Sequence, residues 1–268
     1  MVKLKKGLEI PREKIIHKGE NLIVYRLKEA ADNCKEVAII GDGCSFSLDA
    51  KNRVTDFDPG LQLRTQKDLC HVKKEVIMMY YPFECAGLRQ AGDEIADFMN
   101  QVVFNSYNSS NIQMFGHSKS GVCFAELSKN LQDSIEISTV SAPFHGTILT
   151  MPEEFQKGLF WFEKMIYQKV YSDHQVDRDI AIGSSYLKQA DFSGLKLHQF
   201  YNMICLLQKP DSLGGLGCYY LKKRKNQDGD GIVTKNSQKI SQVGAIEYYM
   251  LTKSHADFWD IVYPYLLS

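Results

Sequence analysis

Residues Ile112 to Gly121 read Ile-Gln-Met-Phe-Gly-His-Ser-Lys-Ser-Gly, an apolar run that passes through Gly-x-Ser-x-Ser into a helical pattern. This is the signature of a nucleophile elbow. The tight strand-to-helix turn presses the positions two before and two after the serine against neighbouring backbone, so both must be small, and Gly116 and Ser120 meet that need. Ser118 then stands at a helix start, where N–H groups and the helix dipole favour developing negative charge. The backbone N–H of Lys119 is placed to donate to an oxyanion. The five residues alone are common, and the strand before and helix after them give the pattern its meaning.

A serine hydroxyl becomes a good nucleophile when a base takes its proton and a third group orients that base. Of the seven histidines, His17, His71, His117, His145, His174, His198 and His255, the last lies just beyond the final predicted strand, in Lys253-Ser254-His255-Ala256-Asp257. His255 is the expected base. His117 adjoins the serine and is expected to point away from it, since neighbouring side chains in such a turn diverge. For the acid, Asn226-Gln227-Asp228-Gly229-Asp230-Gly231-Ile232-Val233 offers Asp228 and Asp230 in a Gly-rich turn. The Asp-x-Asp spacing also suits a calcium loop, but the later ligand positions of an EF-hand do not follow, and no metal is expected.

These groups need a scaffold that brings distant loops to one edge. Short β-branched runs predict strands at Asn21–Leu27, Glu36–Gly41, Glu75–Phe83, Ile112–Phe115, Ile135–Ser141, Gln199–Leu207 and Ala245–Leu251, several of them apolar enough to be covered on both faces. Between them, Gly87–Phe104 carries Ile95, Phe98, Met99, Val102 and Val103 on one helical stripe, and Lys119–Asn130 follows the serine as a second helix. Strand, helix, strand, helix, strand predicts a mostly parallel α/β sheet flanked by helices. Pro152–Tyr171 spreads Phe155, Leu159, Phe160, Trp161, Phe162, Met165, Ile166 and Tyr167 around a helix, as buried core or as a lid over a site.

With 268 residues, no repeat and no linker, the chain is expected to be one domain, 1–268, with an inserted helical cap at about 148–198. Lys plus Arg and Asp plus Glu balance at 32 each, which removes the global field that would steer the chain to nucleic acid or an anionic membrane. Cys34, Cys44, Cys70, Cys85, Cys123, Cys205 and Cys218 are odd in number and form no C-x-x-C pair, so neither a disulfide framework nor a zinc site is indicated. No apolar run approaches the ~20 residues of a membrane helix, and no signal-like h-region opens the sequence. A reducing cytoplasm is the default location, although a secreted chain without its signal would read the same.

Four ordered segments give the chain a resemblance to the α/β-hydrolases, more specifically to their serine lipases and esterases. Gly116-His117-Ser118-Lys119-Ser120 resembles the lipase elbow. Ser141-Ala142-Pro143-Phe144-His145-Gly146-Thr147 is similar to the Pro-His-x-Gly-Thr segment after the following strand. Gly183-Ser184-Ser185-Tyr186-Leu187 looks like the Gly-Ser-x-aromatic-Leu segment after the cap, and Asp230-Gly231-Ile232-Val233 with His255 beyond it resembles the acid loop and C-terminal histidine. The order Ser, Asp, His is theirs too. The resemblance implies an α/β-hydrolase fold with Ser118 as nucleophile, Asp230 as acid, His255 as base, and the N–H of Lys119 as one oxyanion donor. The second donor follows an early strand, here Gly41-Asp42-Gly43-Cys44, which makes the N–H of Cys44 the expected group. Some bacterial members hold calcium near the histidine, where Asp257 falls, but no second ligand stands beside it.

The expected activity is hydrolysis of a small carboxylic ester through an acyl-enzyme, without a cofactor. The Phe144 loop and the aromatic helix point to an apolar acyl group. A thioesterase or amidase on the same triad, or a binding protein on a scaffold that has lost catalysis, are the alternatives.

Overall fold

Along Val37–Ile40 successive side chains fall into two different apolar clusters, Val37 and Ile39 in one, Ala38 and Ile40 in the other, all without solvent exposure. A period of two with both faces buried makes this a central strand. The structure, a computed structural model, describes residues 14–45, 47–48, 54–55, 69–82, 85–147, 178–207, 228–240, 245–253 and 257–268. Its main sheet has eight strands: β1 (Ile15–Lys18), β2 (Ile23–Lys28), β3 (Val37–Ser45), β4 (Glu75–Tyr81), β5 (Ile112–His117), β6 (Glu136–Val140), β7 (Gln199–Leu206) and β8 (Ile246–Leu251). Their order is β1-β2-β4-β3-β5-β6-β7-β8. β3 to β8 run parallel, and β2 is antiparallel to both its neighbours.

Five helices matter here: α1 (Leu88–Phe98), α2 (Lys119–Leu127), α3 (Ser185–Gln189), α4 (Lys235–Gln238) and α5 (Phe258–Leu267). α1 and α2 cover one face, where Leu88, Ile95, Phe98, Val122 and Phe124 meet Val37, Ile39, Met114 and Ile137. α5 covers the other, where Phe258, Ile261, Val262 and Leu266 meet Ala38, Ile40, Phe115, Val140 and Met203. Each fully buried Ile, Leu or Val here contributes about 1.5–3 kcal/mol. After β3 the chain turns to β4, and after β5 it turns the other way to β6. Ligands of open α/β sheets bind in the crevice such a reversal leaves at the strands' carboxyl ends.

All seven predicted strands are present within a few residues of their expected ends, and β1, α3, α4 and α5 are additional. The stripe on α1 needs one correction: Ile95, Phe98, Met99 and Val103 are buried, but Val102 is 46% exposed. Beyond Phe98 the helix continues through a π-helical turn, Met99–Val103, in which the N–H of Phe104 bonds to Met99 O. The extra residue per turn rotates Val102 outward and keeps Val103 on the core. Cys205, expected as a small buried hydrophobe, is one, and burial pushes its thiol up to about 12. The aromatic stretch 152–171 lies outside the described residues. So does most of the expected cap, 148–177, whereas Tyr186, Phe192 and Leu195 from its remainder pack into the core beside α1 and α2. Among the described residues no helix is long and apolar enough to cross a membrane.

Candidate active site

Ser118 has φ 52° and ψ −123°, a left-handed conformation that costs a non-glycine residue about 1–3 kcal/mol. Packing on both sides holds it there. Its N–H donates to Val140 O of β6 at 2.9 Å, and its carbonyl accepts from Gly121 N–H at 3.0 Å to begin α2. A Cβ on Gly116 would stand 2.6 Å from Gly121 Cα and 2.8 Å from Gly121 N. β5 and α2 thus cross backbone to backbone, and only glycine fits. Ser120 is small for a separate reason: a Cβ on Gly41 of β3 would lie 2.8 Å from Ser120 Cβ and 2.6 Å from the Phe124 ring.

The carboxyl end of β3 closes on the serine. β3 runs past the predicted end at Gly41 to Ser45, and a Cβ on Gly43 would be 2.7 Å from Ser118 Cβ and 3.1 Å from His117 Nδ1. The end of β3, expected to supply the second oxyanion donor, therefore lies against Ser118, with Cys44 the next residue after Gly43. Lys119 opens α2, and its side chain is also buried, which sequence reasoning did not foresee. His117 stacks on Phe258 of α5, 4.8 Å between ring centroids at 19°. That contact commits its ring to the α5 side of the sheet.

Asp230 and Asp228 part company. Asp228 is exposed; Asp230 is fully buried, and its Oδ1 accepts from Ile232 N–H at 2.9 Å and Val233 N–H at 2.7 Å. A buried carboxylate is tolerated only with such donors around it. The turn is fixed to the end of β7, since Leu207 N–H donates to Gly229 O. Behind it lies a polar strut that the sequence did not disclose. Gln238 of α4 accepts from Cys205 N–H at 2.8 Å and donates to Cys205 O at 3.1 Å and Val233 O at 3.2 Å; its own carbonyl accepts from Asn202, which accepts from Thr139.

The segment after β6 joins this loop. Ser237 donates to Gly146 O and Thr147 to Ile232 O, while Thr147 N–H donates to Ile180 O and pairs with Ala181. Phe144, expected to face an acyl group, is instead buried at 3% exposure and meets Phe192 edge-on at 5.4 Å. It is core, packed in the same apolar cluster as Leu88, Ile95, Val122 and Phe124. Ser184 caps α3 by accepting from Leu187 N–H, and Asp179 accepts from Leu88 N–H at 2.7 Å at the start of α1. Ser184 Oγ also donates to Asp179 O, which links the Gly183–Leu187 segment to the residue that meets the start of α1.

The other described histidines have structural partners or lie on the surface. His17 pairs with Glu94 at 2.7 Å. His198 accepts from Ile135 N–H and donates through Nε2 to Ser128 O at 2.9 Å, and burial lowers its pKa. His71 and His145 are exposed. His255 falls between the end of β8 and the start of α5, outside the described residues, as does His174. Among the described residues no three His, Cys, Asp or Glu side chains converge as metal ligands, and Asp257 serves as the residue preceding α5.

The strand order, the serine on the turn after β5 and the flanking helices define an α/β-hydrolase fold. Solved structures agree. A lipase of Bacillus licheniformis in its mature form superposes with a TM-score of 0.59 over 91% of this chain and 97% of its own, at 13% identity. A candidate esterase from Staphylococcus aureus gives 0.51 over 99% and 85%, at 12% identity. At such identities the likeness is one of fold. No family model matches the chain, and no curated protein matches it.

The backbone crossing at the elbow is testable. Gly116→Ala should lower stability by about 1–3 kcal/mol, read as a fall in the urea midpoint at unchanged slope; a midpoint equal to wild type would show that α2 does not rest on β5.

Proposed function

We propose that the chain is a serine hydrolase that cleaves carboxylic esters through an acyl-enzyme formed on Ser118. The observation that carries this reading is the strained Ser118 at the carboxyl end of β5, with Gly43 at the end of β3 pressed against it. Such strain persists where surrounding structure enforces it, and here it stands a hydroxyl at the head of a helix. His255, on the segment following β8, takes the serine proton, and Asp230, on the turn following neighbouring β7, orients the imidazole and stabilises its charged form. The N–H groups of Lys119 and Cys44 hold the oxyanion. The protonated histidine then gives its proton to the departing alcohol, and water releases the acyl group by the same route reversed.

Burial favours Asp230 over Asp228 as the acid. A carboxylate held by backbone N–H groups in the interior presents one fixed geometry, whereas the exposed Asp228 is free to reorient. The preference for an apolar acyl group rests on the aromatic residues of 152–171. The lipase and esterase descriptions of the superposed structures accord with ester hydrolysis.

Fluorophosphonate labelling with peptide mapping should find the probe on Ser118, and Ser118→Ala should lose both label and p-nitrophenyl ester turnover; full retention of either refutes the nucleophile. Asp230→Asn should lower kcat on the order of 10³–10⁴-fold while Asp228→Asn changes it little, and equal small effects would remove Asp230 from the mechanism. Across p-nitrophenyl esters of increasing acyl length kcat/KM should rise; a flat or falling series argues against an apolar acyl site.

A further inference from the structure

The two edges of the sheet are finished differently. β1 carries an irregularity between Ile15 and His17, follows the exposed Lys14, ends on the exposed Lys18, and spans four residues. Bulges, charges and shortness are how edge strands are kept from pairing with other chains. β8 is longer and unbroken, and Glu247 is its one charge. Its six residues, Ile-Glu-Tyr-Tyr-Met-Leu, pair with β7 in unbroken register from Ile246↔Tyr201 to Leu251↔Leu206, with no proline and no lysine. Among the described residues no strand pairs with its outer side. Ile246, Tyr248, Tyr249 and Leu251 are 49, 43, 42 and 56% exposed.

We propose that β8 pairs antiparallel with β8 of a second copy of this chain, joining two sheets about a twofold axis. The backbone sets the register. Thr252 N–H donates to Leu206 O of β7, so by the alternation of a parallel ladder Ile246, Tyr248 and Met250 direct their N–H and C=O groups toward β7. Glu247, Tyr249 and Leu251 direct theirs outward. A twofold axis normal to the sheet keeps side chains of like face together, and placing it at Tyr249 uses all the outward groups. Tyr249 then bonds to its own copy and Glu247 to Leu251, for about six main-chain hydrogen bonds.

Side chains fit the same register. On one face Lys235 Nζ of α4 lies 5.1 Å from the Tyr249 ring centroid, and the diagonal neighbour across the axis is the other copy's Glu247, the strand's one charged residue. Two Lys-to-Glu pairs of complementary charge result. On the other face Tyr248, 6.1 Å from Tyr201, comes opposite Met250, extending the apolar face toward exposed Tyr265 and Leu267 of α5. A second copy satisfies these constraints together because the arrangement is self-complementary.

Sedimentation velocity over a concentration series of the full chain should show a monomer–dimer equilibrium. Tyr249→Lys, which sets two ammonium groups opposite each other at the axis, should sediment as monomer. Tyr249→Pro, which removes only an outward N–H and should leave β8 on β7, should do the same, with far-ultraviolet circular dichroism confirming the fold; if it does not fold, Tyr249→Lys decides the matter. Glu247→Lys should weaken the dimer, and adding Lys235→Glu should restore it. A wild type monomeric at every concentration overturns the proposal, as does a dimer untouched by the folded Tyr249 variants.

Discussion

The backbone of α2 rests on the backbone of β5, Gly121 against Gly116, with Ala142 packed beyond it. A single extra carbon at Gly116 would part them. Because the crossing is so close, the chain must reverse within one residue, and that residue is Ser118 with its left-handed φ. The strain of about 1–3 kcal/mol is offset by the bonds that Ser118 makes to β6 and to the first turn of α2, and by a helix buried along its whole length. The first-turn N–H groups of α2 then face the strand ends, where β3 and β5 part. The end of β3 at Gly43 enters the same crevice because Gly41 leaves room for Ser120 and Phe124 beneath it. Elbow and β3 end are thus one packing solution shared by three strands.

The Asp230 turn is built on another principle. Asp230 is held by hydrogen bonds, its turn gripped by Gln238, and Gln238 in turn by Cys205 and Asn202 inside the sheet. Polar groups sealed in this way are rigid because an unmade bond is expensive in a dry interior. The elbow is shaped by the absence of side-chain atoms and the Asp230 turn by amides bonded within the protein.

Much of this was legible in the sequence, for identifiable reasons. Strands covered on both faces announce themselves as apolar runs, and the elbow announces itself because Gly116 and Ser120 are small on either side of a serine. What escaped notice has local causes. β1 is short and half-buried, and so has no strong periodicity. α5 has buried Phe258, Ile261, Val262 and Leu266 at helical spacing, but Pro264 inside it reads as a stop. Val102 looked inward because a uniform 3.6-residue period cannot anticipate a π-helical turn. Phe144 looked like a binding residue because an aromatic in a loop reads so until its neighbour Phe192, 48 positions away, is seen to cover it. Asn202 and Gln238 carry no pattern at all, since their meaning lies in a partnership formed only on folding.

Thr147 and Ala181 lie side by side, joined by a backbone bridge. Two positions 34 residues apart in sequence are therefore neighbours in space, and that junction is fastened to the Asp230 turn through Thr147 and Ser237. Since the ends are already tethered, doubling the length of what lies between them costs only about 0.6 kcal/mol in loop entropy. A change in the length of the chain between Thr147 and Ala181 therefore weighs little on the stability of the elbow or of the Asp230 turn, whose contacts are made by residues on either side of it.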